Sequence, residues 1–169
     1  QLYQMGVRLI TLTWNDDNCF GHSHAKDAGR MQLGLTPFGK ESVTYMTERG
    51  ILVDVSHLSD GGFYDVAELV KGPFVASHSN CRELAPATRN LTDDMIRILA
   101  EHGGVCGLNF YPPFLNTDPV DKVSRIERMC EHVKHLVNVG GIECVGIGTD
   151  FDGIEGNLEI ADCMEMEKL

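Results

Sequence analysis

Two Ser-His pairs, one βα repeat apart, are the residues of this sequence best suited to chemistry. His57 follows the apolar run Ile51–Val55, and His78 follows the run Pro73–Ala76. In a parallel sheet these histidines would stand at the carboxyl ends of neighbouring strands, which lie about 4.8 Å apart. Two neutral imidazoles at that spacing can reach a common point, which suits a metal such as zinc. The alternative interpretation is that each histidine only caps its strand and bonds to the loop.

Arg89 and Asp150 fall near the same predicted edge of the sheet. The planar guanidinium of Arg89 matches a substrate carboxylate or phosphate, although a solvated loop residue or an ion pair would also fit this position. Asp150 could bind the metal or handle protons for a metal-activated water. Its alternative role is to form a turn, a role that Asp152 before Gly153 suits well.

His22 and His24 form a second histidine motif, in a loop of about 20 residues (15–34) without apolar periodicity. An H-x-H motif on a strand would indicate a metal site, because alternate residues face the same side. Here Gly21 and Ser23 place the motif in a loop, which favours a solvated segment over a metal site.

The elements that must position these residues alternate between strand and helix. The predicted strands are 7–14, 51–57, 73–78, 105–110 and 144–147, and the predicted helices are 36–49, 60–71, 92–102, 120–138 and 158–169. The nucleotide-binding motifs G-x-G-x-x-G and GK[ST] are absent, which disfavours a nucleotide-binding doubly wound sheet. Polar strand ends suit a (β/α)8 TIM-like barrel, which needs eight strands and about 250 residues. We therefore expect one α/β domain over residues 1–169, with about five parallel strands forming part of such a barrel or an open sheet.

Size, charge and composition limit the classes of function. The chain has 169 residues, 43% hydrophobic and 23% charged, as expected for one globular domain with a core. A formal net charge of −11 argues against binding to nucleic acid or to anionic membrane surfaces. No stretch reaches the roughly 20 apolar residues of a membrane span, and the first residues lack a signal-peptide pattern. Six cysteines without a CxxC motif predict a cytoplasmic, reducing location.

Several motifs together resemble the membrane (renal) dipeptidase family, zinc-dependent peptidases of the amidohydrolase-like barrel superfamily. They occur over nearly the whole chain: GVRLITLT at 6–13, GLTPFGKE at 34–41, ILVDVSHLS at 51–59, VASHSNCR at 75–82, ATRNLTDD at 87–94, GGVCGLNF at 103–110 and VGIGTDFDG at 145–153. None of these motifs would be convincing alone, but their combination in this order is specific.

The resemblance implies roles for four residues and a reaction. His57 and His78 match the two histidines that bind the second zinc of a two-zinc site. Arg89 matches the arginine that grips the C-terminal carboxylate of the substrate. Asp150 matches the aspartate that manages protons and the substrate amine. The implied reaction is hydrolysis of a small dipeptide by metal-activated water, with zinc lowering the pKa of that water towards about 7 and polarising the scissile carbonyl.

The sequence also departs from the family pattern. The His-x-Asp that binds the first zinc and the Glu that bridges both metals would precede residue 1, and the loop residues His22 and His24 do not replace them. A family histidine that polarises the substrate carbonyl aligns with Trp14, which would instead shape a pocket wall. We therefore expect a central-to-C-terminal portion of the barrel, with at most one partly built zinc site from His57 and His78.

Two alternative functions stay open at this stage. One is another amidohydrolase of the same barrel, acting on cyclic amides, N-acyl amino acids or β-lactams. The other is a catalytically silent metal-binding fragment, completed by a partner chain. Because the exposed edges of a partial barrel favour association, a homodimer is a further prediction.

Overall fold

A parallel β-sheet forms the centre of the protein in the computed structural model, which describes residues 1–118 and 120–169. The strands, in chain order, are β1 (Leu9–Thr11), β2 (Leu52–Asp54), β3 (Val75–Ala76), β4 (Val105–Leu108), β5 (Val123–Ser124), β6 (Val145–Ile147) and β7 (Asn157–Leu158). Five of them form one sheet in the order β1-β2-β3-β4-β6, and β5 pairs with β7 in a separate parallel ribbon.

Helices connect these strands. They are α1 (Ala28–Met31), α2 (Pro37–Thr47), α3 (Asp60–Leu69), α4 (Asp93–Glu101), α5 (Pro112–Leu115) and α6 (Ile126–Gly140), with short 3-10 helices at Ile142–Cys144 and Cys163–Lys168. None of the helices in the described ranges is long and apolar enough to cross a membrane.

The order of the strands confirms the predicted α/β fold with five parallel strands. Each strand of the main sheet pairs in parallel with the sheet strand that follows it in the chain. A doubly wound sheet would instead reverse its order at a switch point, whereas a (β/α) barrel adds strands in sequence around one axis. The carboxyl ends of β2, β3, β4 and β6 consequently open on one edge, where the polar residues lie.

Side-chain caps fix where the main helices begin. The hydroxyl of Thr36 accepts a hydrogen bond from the Gly39 N–H before α2, and Ser59 does the same for Gly62 before α3. Thr92 caps α4 in the same way, with two aspartates in the first turn. These bonds satisfy backbone donors that the first turn of a helix leaves open, which confirms the predicted starting points.

The core lies between the sheet and its helices. Val53 and Ala76 on the strands are fully buried against Val43 of α2 and Val66 of α3, and Leu99 of α4 extends the same cluster. The predicted core thiols are also confirmed: Cys106 and Cys144 are buried and free, and burial raises the pKa of both.

Two predicted helices differ from the structure. The helix predicted at 120–138 begins only at Ile126, because the chain first makes the strand Val123–Ser124, which pairs with Asn157–Leu158. The predicted C-terminal helix is replaced by that second strand and by the short 3-10 helix. The predicted loop 111–119 contains the single turn α5, and its last residue, Pro119, lies outside the described residues.

Candidate metal and substrate site

The two histidines singled out by the sequence meet at the carboxyl edge of the sheet. His57 follows β2 and His78 follows β3, and their Nε2 atoms lie 2.9 Å apart. Their ring centroids are 5.0 Å apart at an interplanar angle of 59°. His57 has a φ of 70°, a left-handed conformation that costs energy for a residue with a Cβ atom. This turn directs the chain away from β2 just where the imidazole meets its neighbour.

The other ring nitrogen of each histidine, Nδ1, contacts a polar side chain. Nδ1 of His57 lies 3.1 Å from Oδ1 of Asn15, and Nδ1 of His78 lies 2.7 Å from Oγ of Ser77. The Ser77 hydroxyl in turn lies 2.6 Å from Oδ2 of Asp54. Sequence reasoning missed Asn15, Ser77 and Asp54, although an aspartate inside the apolar run Ile51–Val55 was a usable signal, since buried carboxylates need partners.

Both imidazoles are held in the neutral form that a metal ligand requires. Burial lowers the pKa of His57 to about 3, and the charges of Arg89 and His78 act in the same direction. Burial also lowers the pKa of His78, again with help from Arg89. At neutral pH, therefore, neither ring carries a proton on both nitrogens.

This donor set fits a metal ion with an affinity for nitrogen. The two Nε2 atoms face each other, and a single cation between them would accept a lone pair from each. Within residues 1–118 and 120–169, no cluster of three or more His, Cys, Asp or Glu side chains has metal-binding geometry. His57 and His78 therefore offer two ligands, fewer than the three protein ligands of a typical catalytic zinc site.

Arg89 lies beneath the same edge and is only 5% exposed. Its guanidinium reaches the His78 carbonyl at 3.3 Å and the Ser79 hydroxyl at 3.5 Å, and it lies over the ring of Phe114 with its Cζ 5.4 Å from the centroid. Its buried Nε has no hydrogen-bond partner among the described residues. Burial lowers the pKa of Arg89 to about 10, so the side chain stays charged at neutral pH. A buried cation with an unused donor is suited to an anionic ligand.

Asp150 closes the edge after β6. It has a φ of 64°, and its Oδ2 accepts a hydrogen bond of 3.1 Å from the Asn109 amide. The Asp150 carbonyl also accepts the Gly153 N–H at 2.9 Å. The turn that sequence reasoning assigned to Asp152 therefore starts at Asp150, whose carboxylate is held by Asn109 and remains at the cavity wall.

His24 is part of the site, in contrast to the expectation of a solvated loop. Its N–H donates to the His57 carbonyl at 2.8 Å, and its ring centroid lies 6.0 Å from that of His57. Its ring nitrogens contact Thr88 Oγ1 at 3.1 Å and Asn15 Oδ1 at 3.4 Å. Burial lowers its pKa to about 4, with Arg89 as a second cause. His22 agrees better with the expectation, because it pairs with Asp17 at the surface.

A cavity of about 790 Å³ brings most of these groups to a common surface, although His78 itself does not line it. Its polar wall includes His24, His57, Arg89 and Asp150, and its apolar and aromatic lining is supplied by Trp14, Pro86, Tyr111, Pro113, Phe114 and Ile154. The expectation that Trp14 shapes a pocket wall is consistent with this lining. A cavity of this size, mostly apolar with a few convergent polar groups, is typical of a site for a small molecule.

Comparisons with known proteins agree with the motifs and the fold. The family model for membrane dipeptidase (peptidase family M19) matches residues 1–169. An uncharacterized dipeptidase of Schizosaccharomyces pombe is 38% identical over 155 residues, which cover 91% of this chain and 37% of that protein.

Two solved structures have the same fold. A metallopeptidase from Rhodobacter sphaeroides, liganded with a phosphinate mimic of the dipeptide L-Ala-D-Ala, superposes with a TM-score of 0.90 at 34% identity, covering 99% of this chain and 49% of that one. A dipeptidase of family M19 gives 0.88 at 33% identity, covering 99% of this chain and 50% of that one. The chain spans about half the length of these structures.

Proposed function

This chain belongs to the membrane dipeptidase family, peptidase family M19, and from that premise we propose that it supplies part of the active site of a zinc-dependent dipeptidase. The observation that carries the proposal is the pair of Nε2 atoms of His57 and His78, which face each other at 2.9 Å. Metal dependence is general to this family of metallopeptidases, and zinc is a metal that neutral imidazoles commonly bind.

His57 and His78 would hold the metal, and when bound it would supply Lewis-acid activation of water and of the scissile carbonyl. Two imidazoles are too few for a tight zinc site, so the proposal assigns the other ligands of a complete centre to groups beyond this pair. The fixed surroundings of both rings, with Asn15 behind one and Ser77 behind the other, keep them oriented before any ligand arrives.

Arg89 would bind the C-terminal carboxylate of the dipeptide. The carboxylate can accept a charge-assisted hydrogen bond from a guanidinium that is already buried and oriented by the His78 carbonyl. Because Nε of Arg89 lacks a partner among the described residues, a substrate anion would satisfy a donor that is otherwise costly to bury. This feature supports a substrate with a free carboxylate over a cyclic amide.

Asp150 would move or hold a proton beside the reacting bond, or hold the amine of the substrate. Asn109 donates to Oδ2 and so fixes the carboxylate of a residue that lines the cavity. Closing such a pocket around a dipeptide would exclude water and strengthen each of these contacts. The apolar lining of the cavity would receive the two side chains of the dipeptide.

Association with a second copy is a separate part of the proposal. β1 and β6 are the two edges of the main sheet, and Leu9 and Ile147 on them are 42% and 53% exposed. An exposed edge with apolar side chains favours pairing with another chain. Light scattering after size-exclusion chromatography tests this: a dimer is expected, and a monomer at all concentrations would contradict it.

Dipeptide hydrolysis with added zinc tests the main proposal. Slow turnover is expected from the 169-residue chain, and none from His57→Ala. His22→Ala is the matched control, because His22 pairs with Asp17 away from the two facing rings and should leave turnover unchanged. Measurable turnover by the chain that survives in His57→Ala would contradict the proposed role of His57.

A further inference from the structure

A buried carboxylate lies behind His78 and contacts nothing in the cavity. Asp54, at the end of β2, is 1% exposed. Its Oδ1 accepts the backbone N–H groups of Ser56 at 3.0 Å and Ser77 at 2.9 Å. Its Oδ2 accepts the hydroxyls of Thr11 at 2.7 Å and Ser77 at 2.6 Å. Four donors from three segments of the chain therefore converge on this one side chain.

The contacts of Asp54 determine which group donates in the hydrogen bonds that join Asp54 to Ser77 and Ser77 to His78. Burial alone would raise the pKa of Asp54, but the hydrogen bonds from Ser77, Thr11 and Ser56 lower it below its ordinary value, so the carboxylate is ionised. An ionised carboxylate can only accept hydrogen bonds, so the Ser77 hydroxyl must donate to it. The Ser77 oxygen is then an acceptor for Nδ1 of His78, which lies 2.7 Å away.

We propose that Asp54 is a positioning residue which, through Ser77, fixes the tautomer and orientation of His78. The ring hydrogen is held on Nδ1, and Nε2 presents its lone pair towards Nε2 of His57. The inference goes beyond the proposed function and rests on it in one respect, namely that His78 is a metal ligand. Carboxylates in this position behind ligand histidines fix the ring and raise its basicity.

The contact between His57 and Asn15 does not fix which nitrogen of the His57 ring carries the hydrogen. Its Nδ1 meets the side-chain amide of Asn15, and an amide can present either its oxygen or its NH₂ group. A carboxylate offers acceptors alone, and the two backbone N–H groups on its Oδ1 cannot be reversed. The tautomer of His78 is therefore set by the fold, whereas that of His57 can adapt.

Nitrogen NMR of the ring atoms tests the proposal in the 169-residue chain, labelled with ¹⁵N-histidine and freed of metal by a chelator. In the parent chain we expect Nδ1 of His78 to carry the hydrogen. In Asp54→Asn the amide oxygen must keep the two backbone donors, so the NH₂ group faces Ser77 and donates to it. The Ser77 hydroxyl then donates to Nδ1, and the ring hydrogen moves to Nε2.

Two further variants keep the test decisive if Asp54→Asn folds poorly. Ser77→Ala removes the hydroxyl that joins Asp54 to His78, and we expect His78 to lose its single Nδ1–H tautomer. Thr11→Val removes another donor to Oδ2 of Asp54 but leaves the Ser77 hydroxyl in place, and it should leave the tautomer of His78 unchanged. A folded Asp54→Asn or Ser77→Ala chain in which His78 keeps Nδ1–H would overturn the positioning role.

A zinc titration separates this inference from the proposed function. If both are correct, Asp54→Asn weakens zinc binding by about 10- to 100-fold relative to Thr11→Val. Reversal of the tautomer with unchanged zinc affinity would support the positioning role and contradict His78 as a ligand.

Discussion

His57 and His78 turn their Nε2 atoms towards each other at 2.9 Å, from the ends of two adjacent parallel strands. The contact results from one βα repeat, which brings residues with the same Ser-His context to neighbouring positions on the sheet. Two histidines that only capped their own strands would have no reason to meet. The pair is therefore the structural basis for the proposed metal site, and the surrounding residues allow separate tests.

Arg89→Lys is expected to raise KM for a dipeptide by about 10- to 100-fold, because lysine loses the planar, preoriented guanidinium on which a charge-assisted bond of about 1.5–3 kcal/mol depends. Steady-state kinetics with a free dipeptide and its C-terminal amide measure the effect. The KM for the C-terminal amide should differ little between the parent chain and Arg89→Lys. Arg125→Lys is the matched control, since Arg125 pairs with Asp121 at the surface. An unchanged KM for the free dipeptide would favour a different substrate class.

Asp150→Asn should lower kcat by about 100- to 10,000-fold while leaving the fold intact. Asparagine tolerates the left-handed backbone of this position and can still accept a hydrogen bond from Asn109, so the change removes mainly the charge and the proton-transfer capacity. Kinetics measure the loss of kcat, and thermal unfolding of the same sample shows whether the fold is intact. Asp152→Asn serves as the control. Full activity in Asp150→Asn would exclude a proton-handling role.

Gly107→Ala should destabilise the chain by several kcal/mol, because a Cβ atom there would lie 2.0 Å from the Ser77 carbonyl oxygen. The clash falls on the backbone that carries His78, so zinc binding should suffer as well. Gly72→Ala is the control: a Cβ atom at Gly72 meets nothing within 4 Å, and a gain of up to about 1 kcal/mol is expected. Urea unfolding measures both. Equal stabilities would mean that β3 and β4 do not pack this closely.

His132 makes the stability of the fold depend on pH. It is fully buried in α6, where Nδ1 accepts the Cys81 N–H at 3.2 Å and Nε2 donates to the Leu115 carbonyl at 3.0 Å. Burial, with a smaller effect of the Arg128 charge in the same direction, lowers its pKa from 6.5 to about 4. The unfolded chain therefore binds the proton first. The contribution of His132 should lower the free energy of unfolding by about 3 kcal/mol as the pH drops from about 6.5 to about 4, and it should be constant below pH 4.

His132→Asn tests this linkage, because asparagine does not titrate and can still accept the Cys81 N–H. The free energy of unfolding, measured in urea between pH 7 and pH 4, should be lower than that of the parent chain at pH 7 and should change less with pH. The same pH dependence in both proteins would show that His132 is not the residue responsible.

Local signals in the sequence were enough to predict the five strands of the main sheet and the meeting of His57 with His78. Thr36, Ser59 and Thr92 begin helices through bonds to residues three positions away, so a short stretch of sequence contains the whole signal. His57 and His78 were found for a similar reason, since the βα repeat determines which strand ends are neighbours.

Features that depend on distant partners were not predicted. Val123–Ser124 looked like the start of a helix, and only its pairing with Asn157–Leu158 makes it a strand. His24 joins the site through contacts with Thr88 and with the carbonyl of His57. Nothing within the 15–34 loop indicates these partners, because they are set by the packing of the loop against the ends of the strands.

A crystal structure of the zinc-loaded chain, with anomalous data at the zinc absorption edge, tests the central claim most directly. The account predicts one anomalous peak about 2.0–2.1 Å from Nε2 of both His57 and His78, a peak that disappears in His78→Ala. Zinc bound elsewhere on the chain, with the two rings turned apart or without metal between them, would contradict it.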